Sequence, residues 1–226
     1  MLFRSILSTS YGIQTAWQRI HCQCEVFILM THITFVIGNG DSRQPIDLES
    51  CKQHGLTIGC NAIVRDFHPH IVSAADERML TEIITTAYTG QLYTRSKWNN
   101  KHEALPYPAL PYEGEDRADD PWHWNSGPHA INIACATSPS KCYLIGFDMT
   151  QQNNYTNVYA GTKGYDSKPV DPKYWYHQLD KLFDSYPHIS FVWIAPTEYV
   201  CPKQWYRHAN FSRDTTQNFN KYLHDT

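Results

Sequence analysis

A chain of 226 residues with 42% hydrophobic content and a formal net charge of −3 is long enough to bury a substantial core. Its negative balance, with no run of Lys or Arg, excludes an extended nucleic-acid surface. The seven cysteines form an odd, irregularly spaced set, which argues against a disulfide framework and for a reducing compartment, read here as the cytoplasm.

Residues 1–31 read as an N-terminal appendage, and residues 32–226 as one domain. Met1 to Trp17 carries one Arg and a weak apolar centre broken by Ser, Thr, Tyr and Gly, a poor signal peptide. Val26 to Met30 is too short to span a bilayer. Cys22-Gln23-Cys24 is too closely spaced for an ordinary zinc knuckle, so no metal site is assigned.

The β-branched run Ile33, Phe35, Val36, Ile37 predicts a buried strand that runs into Gly38-Asn39-Gly40-Asp41-Ser42. Glycines at a strand's carboxyl end let the backbone turn sharply and approach a ligand. Ile46 to His54 reads as a short helix capped by Asp47, and Leu56 to Ile58 as a second strand ending in Gly59-Cys60-Asn61. Ile71 to Ala75 is a third strand, Ala75 to Tyr88 a helix by its apolar spacing, and Leu92 to Thr94 a fourth strand.

From Ser96 to Trp124 the periodicity disappears among Pro, Tyr, Trp and acidic residues, and Asn153 to Tyr165 is a second Tyr-rich loop. With 15 Tyr and 7 Trp in the chain, these stretches, 96–124 and 150–171, are expected to form lid loops over a cleft. Asp119, Asp120 and His123 read as a solvated acidic loop rather than a divalent-ion site, and Trp122 and Trp124 as a hydrophobic plug. Between the loops, Ser126-Gly127 precedes a small-residue helix (Ala130 to Thr137). Lys141 to Gly146 is a strand leading into Phe147-Asp148, Lys173 to Tyr186 a helix opened by Pro172, and Ile189 to Ala195 the last strand. Strands alternating with helices predict an α/β, Rossmann-like, doubly wound and mainly parallel sheet, whose ligand lies beyond the strand carboxyl ends.

Gly38-Asn39-Gly40-x-Ser42, then Cys60-Asn61, then Ser126-Gly127 opening a small-residue helix, then YLIGFD at Tyr143 to Asp148, resemble the bacterial lipooligosaccharide sialyltransferases. More distantly they resemble the archaeal 6-hydroxymethylpterin diphosphokinase-like proteins. WNSGP (Trp124 to Pro128) and NVYAGT (Asn157 to Thr162) are similar to strings in uncharacterised phage proteins, which would place the chain in a host cytoplasm. The first resemblance implies a glycosyltransferase with a nucleotide-sugar donor, a cytidine-monophosphate sugar, that needs no cofactor. It implies nucleotide contacts from Gly38, Asn39, Gly40, Ser42, Asn61, Ser126, Gly127 and Asp148. It further implies His177 as the base on an acceptor hydroxyl, and Tyr155 or Tyr159 on the departing phosphate. This chain departs from the pattern at Asp41, where the family has Pro, and at Thr150, where it has Tyr; Tyr165 is a further substitute. The alternatives are a Mg²⁺-dependent diphosphokinase-like transferase, with Asp41, Asp76 or Asp148 on the metal, and a non-catalytic nucleotide-binding protein. The acceptor and any homo-oligomeric state are left open.

Overall fold

A computed structural model describes residues 33–149, 157–165 and 171–225. The expected appendage, Cys22, Cys24 and Tyr155 lie outside the described residues. In chain order the elements are β1 (Ile33–Ile37), α1 (Leu48–His54), β2 (Leu56–Cys60), β3 (Ile71–Ser73), α2 (Glu77–Ile84), β4 (Gln91–Thr94) and α3 (Ser96–Asn99). Then follow β5 (Leu105–Pro106), α4 (Ser126–Ala136), β6 (Lys141–Ile145), α5 (Lys173–Ser185), β7 (Ser190–Ala195), β8 (Phe211–Thr215) and α6 (Thr216–Asp225). All eight strands form one parallel sheet in the order β5-β4-β3-β2-β1-β6-β7-β8.

The central strands are continuous apolar runs because both faces of the sheet are covered. Val36, Cys142, Leu144, Phe191 and Trp193 point to one face and pack with α4 and α5. Their neighbours Ile37 and Phe35, with Tyr143, Ile145, Val192 and Ile194, point to the other, where α1, α2 and α6 supply Leu48, Met79, Leu80, Ile83, Phe219 and Leu223. The doubly wound, parallel α/β architecture expected from the sequence is the architecture found. From β1 the chain builds outward to β5, then crosses back through α4 to place β6 on the other side of β1. The connections after β1 and β6 therefore leave in opposite directions and open a crevice at the strands' carboxyl ends.

The structure corrects the sequence reading in three places. Ile189 to Ala195 does not end the sheet: β8 follows it, a polar edge strand (FSRDT) with one buried residue, Phe211. α6 then anchors to the core chiefly through Phe219 and Leu223, spaced i, i+4. The stretch 96–124 is not wholly irregular, since it contains α3, β5 and 3-10 turns at Arg117–Asp119 and Pro121–His123. Finally, α4 starts at Ser126 rather than Ala130, because the Asn125 side chain accepts from the Gly127 amide and caps it.

Candidate ligand-binding site

The crevice is built first by two glycine turns lying side by side. The Gly38 amide donates to the Ile145 carbonyl at 2.8 Å and the Gly40 amide to the Gly146 carbonyl at 2.9 Å, which locks the end of β1 onto the end of β6. Gly146 has φ +68°, the left-handed region that favours glycine, and a Cβ on Gly38 would sit 2.5 Å from the Gly146 oxygen. A Cβ on Gly40 would strike the Asp148 carboxylate. That carboxylate is 2% exposed. It accepts the Ser42 amide at 2.9 Å and also the Ser42 hydroxyl. Burial pushes the Asp148 carboxyl up to about 6; the two Ser42 bonds oppose the shift and the charge of Asp41 adds to it.

The opposite wall comes from β2 and α4. Asn61 has φ +50°, a conformation that Asn tolerates better than most residues. Its Oδ1 accepts the Ser126 hydroxyl at 2.5 Å, and the Ser126 Oγ in turn accepts the Ala75 amide at 2.9 Å. Asn39, 7% exposed, donates from Nδ2 to the Cys60 carbonyl at 3.0 Å and to the Tyr165 hydroxyl at 3.4 Å. Its Oδ1 finds no partner among the described residues. Tyr165 accepts both that bond and the Ala62 amide at 3.4 Å, so its own O–H is left to donate.

These side chains enclose a cavity of about 300 Å³, lined by Gly38, Asn39, Asn61, Ser126, Gly127 and Asp148, with Asn125, Asn157, Tyr165, Met149 and Trp175 around them. Among the described residues of that lining, Asp148 is the one that is charged. The remaining polarity of the described lining is amide and hydroxyl, together with the amino end of α4, where the helix dipole leaves partial positive charge. Such a site suits a ligand bearing one phosphate group and hydroxyl or amide edges.

Six of the sequence-predicted binding residues thus share one cavity. Gly40 and Ser42 stand directly behind it, where they shape and brace Asp148. Tyr159 is not brought to the lining. Its hydroxyl donates to Asp66 and accepts from Arg43 at 2.8 Å, beneath the cavity, and burial pushes its pKa up. His177 lies outside the lining as well, with its Nε2 2.6 Å from Oδ1 of Asp119, whose side chain is 4% exposed. Two residues before it on the same helix, Trp175 does line the cavity.

Asn125, Asn157, Met149 and Trp175 were missed by sequence reasoning. Of these, only Asn125 carries a local signal, an Asn directly ahead of a small-residue helix. Asp120 caps the 3-10 turn through the Trp122 amide at 2.9 Å. Of the two tryptophans read as a plug, Trp124 is fully buried and Trp122 is 51% exposed. Two clusters bring three metal-type donor atoms within 4.8 Å of one another, Asp116-Asp119-His177 and Asp180-Asp184-His208, both outside the cavity lining. The five described cysteines are buried and free. No described helix is long and apolar enough to cross a membrane.

No protein-family model matches the chain, and no curated protein sequence does. Among solved structures, the monofunctional α-2,3-sialyltransferase Cst-I of Campylobacter jejuni superimposes with a TM-score of 0.52 and 14% identity over 75% of this chain and 78% of that one. At that identity the likeness establishes a shared fold, the Rossmann-like α/β sheet of a sialyltransferase.

Proposed function

We propose that this protein is a sialyltransferase-like glycosyltransferase that takes a sugar from a nucleoside-monophosphate donor, a cytidine-monophosphate sugar, and passes it to an acceptor hydroxyl. One observation carries the reading. Gly38, Asn39, Asn61, Ser126, Gly127 and Asp148, spread over nearly half the chain, converge on one cavity at the topological switch point. The described lining residues include no Lys or Arg, which fits a single phosphodiester better than a triphosphate. The fold shared with a sialyltransferase supports the same reading.

In this reaction the acceptor oxygen attacks the anomeric carbon from the face opposite the phosphate. The bond from that carbon to the phosphate oxygen breaks, its electron pair leaves with the phosphate, and the configuration inverts. The phosphate gains a negative charge as it departs, so fixed donors aimed at it lower the barrier. The Tyr165 hydroxyl supplies one here and the positive end of the α4 dipole adds to it, while Tyr155 is the family's counterpart by resemblance. Tyr159, committed to Asp66 and Arg43, acts by holding its loop. By the same resemblance His177, which lies outside the described lining and whose ring Asp119 holds, is the base for the acceptor proton.

The test is release of nucleoside monophosphate from a panel of nucleotide sugars in the presence of EDTA. Turnover of a cytidine-monophosphate sugar is expected, falling by about 10²-fold or more in His177→Ala, the range for loss of a general base. Turnover confined to a nucleoside triphosphate with Mg²⁺ contradicts the assignment and favours the diphosphokinase-like alternative.

A further inference from the structure

Outside the cavity, the exposed aromatic surface of the 96–124 stretch has an order of its own. Trp122 is 51% exposed, a rare state for so large an apolar ring. It is also held in place. The Arg95 guanidinium lies 4.5 Å from its ring centre, and the Trp98 ring sits 6.1 Å away. Arg95 grips the turn from below, donating to the carbonyls of Trp122 at 3.0 Å and Trp124 at 2.8 Å. The same guanidinium donates to the Ala75 carbonyl at 2.8 Å, and the Ala75 amide donates to Ser126 in the cavity wall. The patch and the cavity are therefore joined through one rigid hydrogen-bonded chain. Trp122 is three residues ahead of Asn125, within roughly 11 Å of the lining even if those residues were fully extended.

Lys97 gives the patch its charge. It is exposed, its ammonium stands 5.7 Å from the ring centres of both Trp98 and Trp122, and it forms no ion pair among the described residues. Asp120, on the same turn as Trp122, accepts the Trp122 amide and lies 3.9 Å from His123. A flat indole held in place beside a cation with no carboxylate partner among the described residues suits a pyranose ring whose C–H face stacks on the indole while its acidic group meets the ammonium. Immobilising the indole in advance removes an ordering cost from binding. A cavity of about 300 Å³ is at the small end for ligand pockets, so a donor nucleotide fills it and an acceptor is held at the rim.

We propose that Trp122, Trp98 and Lys97 form a saccharide subsite for an acidic acceptor sugar, an assignment that rests on the glycosyltransferase reading above. The test titrates ¹⁵N-labelled protein with uronate-terminated, sialylated and phosphorylated oligosaccharides and with their neutral counterparts. The indole N–H signals of Trp98 and Trp122 shift with an acidic member. The dissociation constant weakens by about tenfold in Trp122→Ala and largely recovers in Trp122→Phe. Lys97→Ala weakens binding of the acidic sugar and not of its neutral counterpart. No shift with any acidic saccharide, or an unchanged constant in Trp122→Ala, overturns the subsite. A parallel titration with cytidine monophosphate separates the two readings. Nucleotide binding without saccharide binding overturns the subsite and leaves the donor reading standing. Saccharide binding without nucleotide binding overturns its role as an acceptor site.

Discussion

Gly40 has no room for a side chain because the Asp148 carboxylate occupies the place of its Cβ. Gly40→Ala is therefore expected to destabilise the fold by about 1–3 kcal/mol, measured by denaturant unfolding. Most of that loss should vanish in an Asp148→Ala background, since the two side chains couple through one contact. Asp148 itself makes binding pH-dependent. With its carboxyl at about 6 through burial, it is mostly ionised at pH 7 and repels a phosphate; at pH 5 it is mostly neutral. The methyl phosphodiester of cytidine monophosphate, whose phosphate does not titrate in this range, is expected to bind more tightly as pH falls from 7 to 5. Calorimetric titration of Asp148→Asn should show a flat profile over the same interval. At this scale the sequence was informative where chemistry is local. A glycine-rich turn after a strand and an aspartate after another name themselves, and both reach the cavity. Tyr159 did not follow, because whether a hydroxyl faces a cleft or an arginine beneath it depends on packing that no local pattern encodes.

Among the elements, α4 matters most, because its amino end forms one wall of the cavity. Asn125 caps it through the Gly127 amide at 3.1 Å. Asn125→Ala is expected to cost about 1 kcal/mol of stability. Asn125→Asp keeps an acceptor at the cap and so keeps stability, but adds a negative charge beside an incoming phosphate. Nucleotide affinity should therefore fall while the unfolding midpoint holds, a dissociation that a purely structural cap would not give. The onset of α4 was legible only in part. The sequence places the helix from Ala130, and it starts at Ser126 because the Asn125 cap and burial against the sheet override the poor propensity of Gly127 and Pro128. β8 and α6 were not legible at all. A half-exposed edge strand carries no apolar run, and α6 buries too few residues to show a helical stripe.

For the whole molecule, the alternation of apolar runs with helical stripes was enough to give the doubly wound sheet. The order β2-β1-β6, which sets the switch point, follows from the long crossover and not from any single residue. The same packing builds in a sensitivity to acid. His129, 2% exposed, is stacked 3.7 Å from Tyr107 and 5.5 Å from Trp124. Burial, helped by the Arg95 charge, lowers its pKa to about 3 from an ordinary 6.5. Between these values the unfolded chain binds a proton that the folded one refuses, so this histidine's contribution to stability is complete above pH 6.5 and falls with acidification. Asp148, raised in the fold, acts in the opposite direction between 3.8 and about 6, so wild type must be compared with a variant at each pH. His129→Phe, which keeps a stacked ring, is expected to gain about 2 kcal/mol on wild type between pH 7 and pH 5, read by urea unfolding.

The central claim, that the crevice between β1 and β6 is a nucleoside-monophosphate site, is tested most directly by thermal unfolding with free nucleotides. Cytidine monophosphate at a hundred times its dissociation constant should stabilise wild type by about 2.7 kcal/mol without Mg²⁺, a rise of several degrees. That gain should be lost in Asn39→Ala, whose native carboxamide bridges β2 and Tyr165. Stabilisation by triphosphates only, or a gain that survives in Asn39→Ala, would contradict the account.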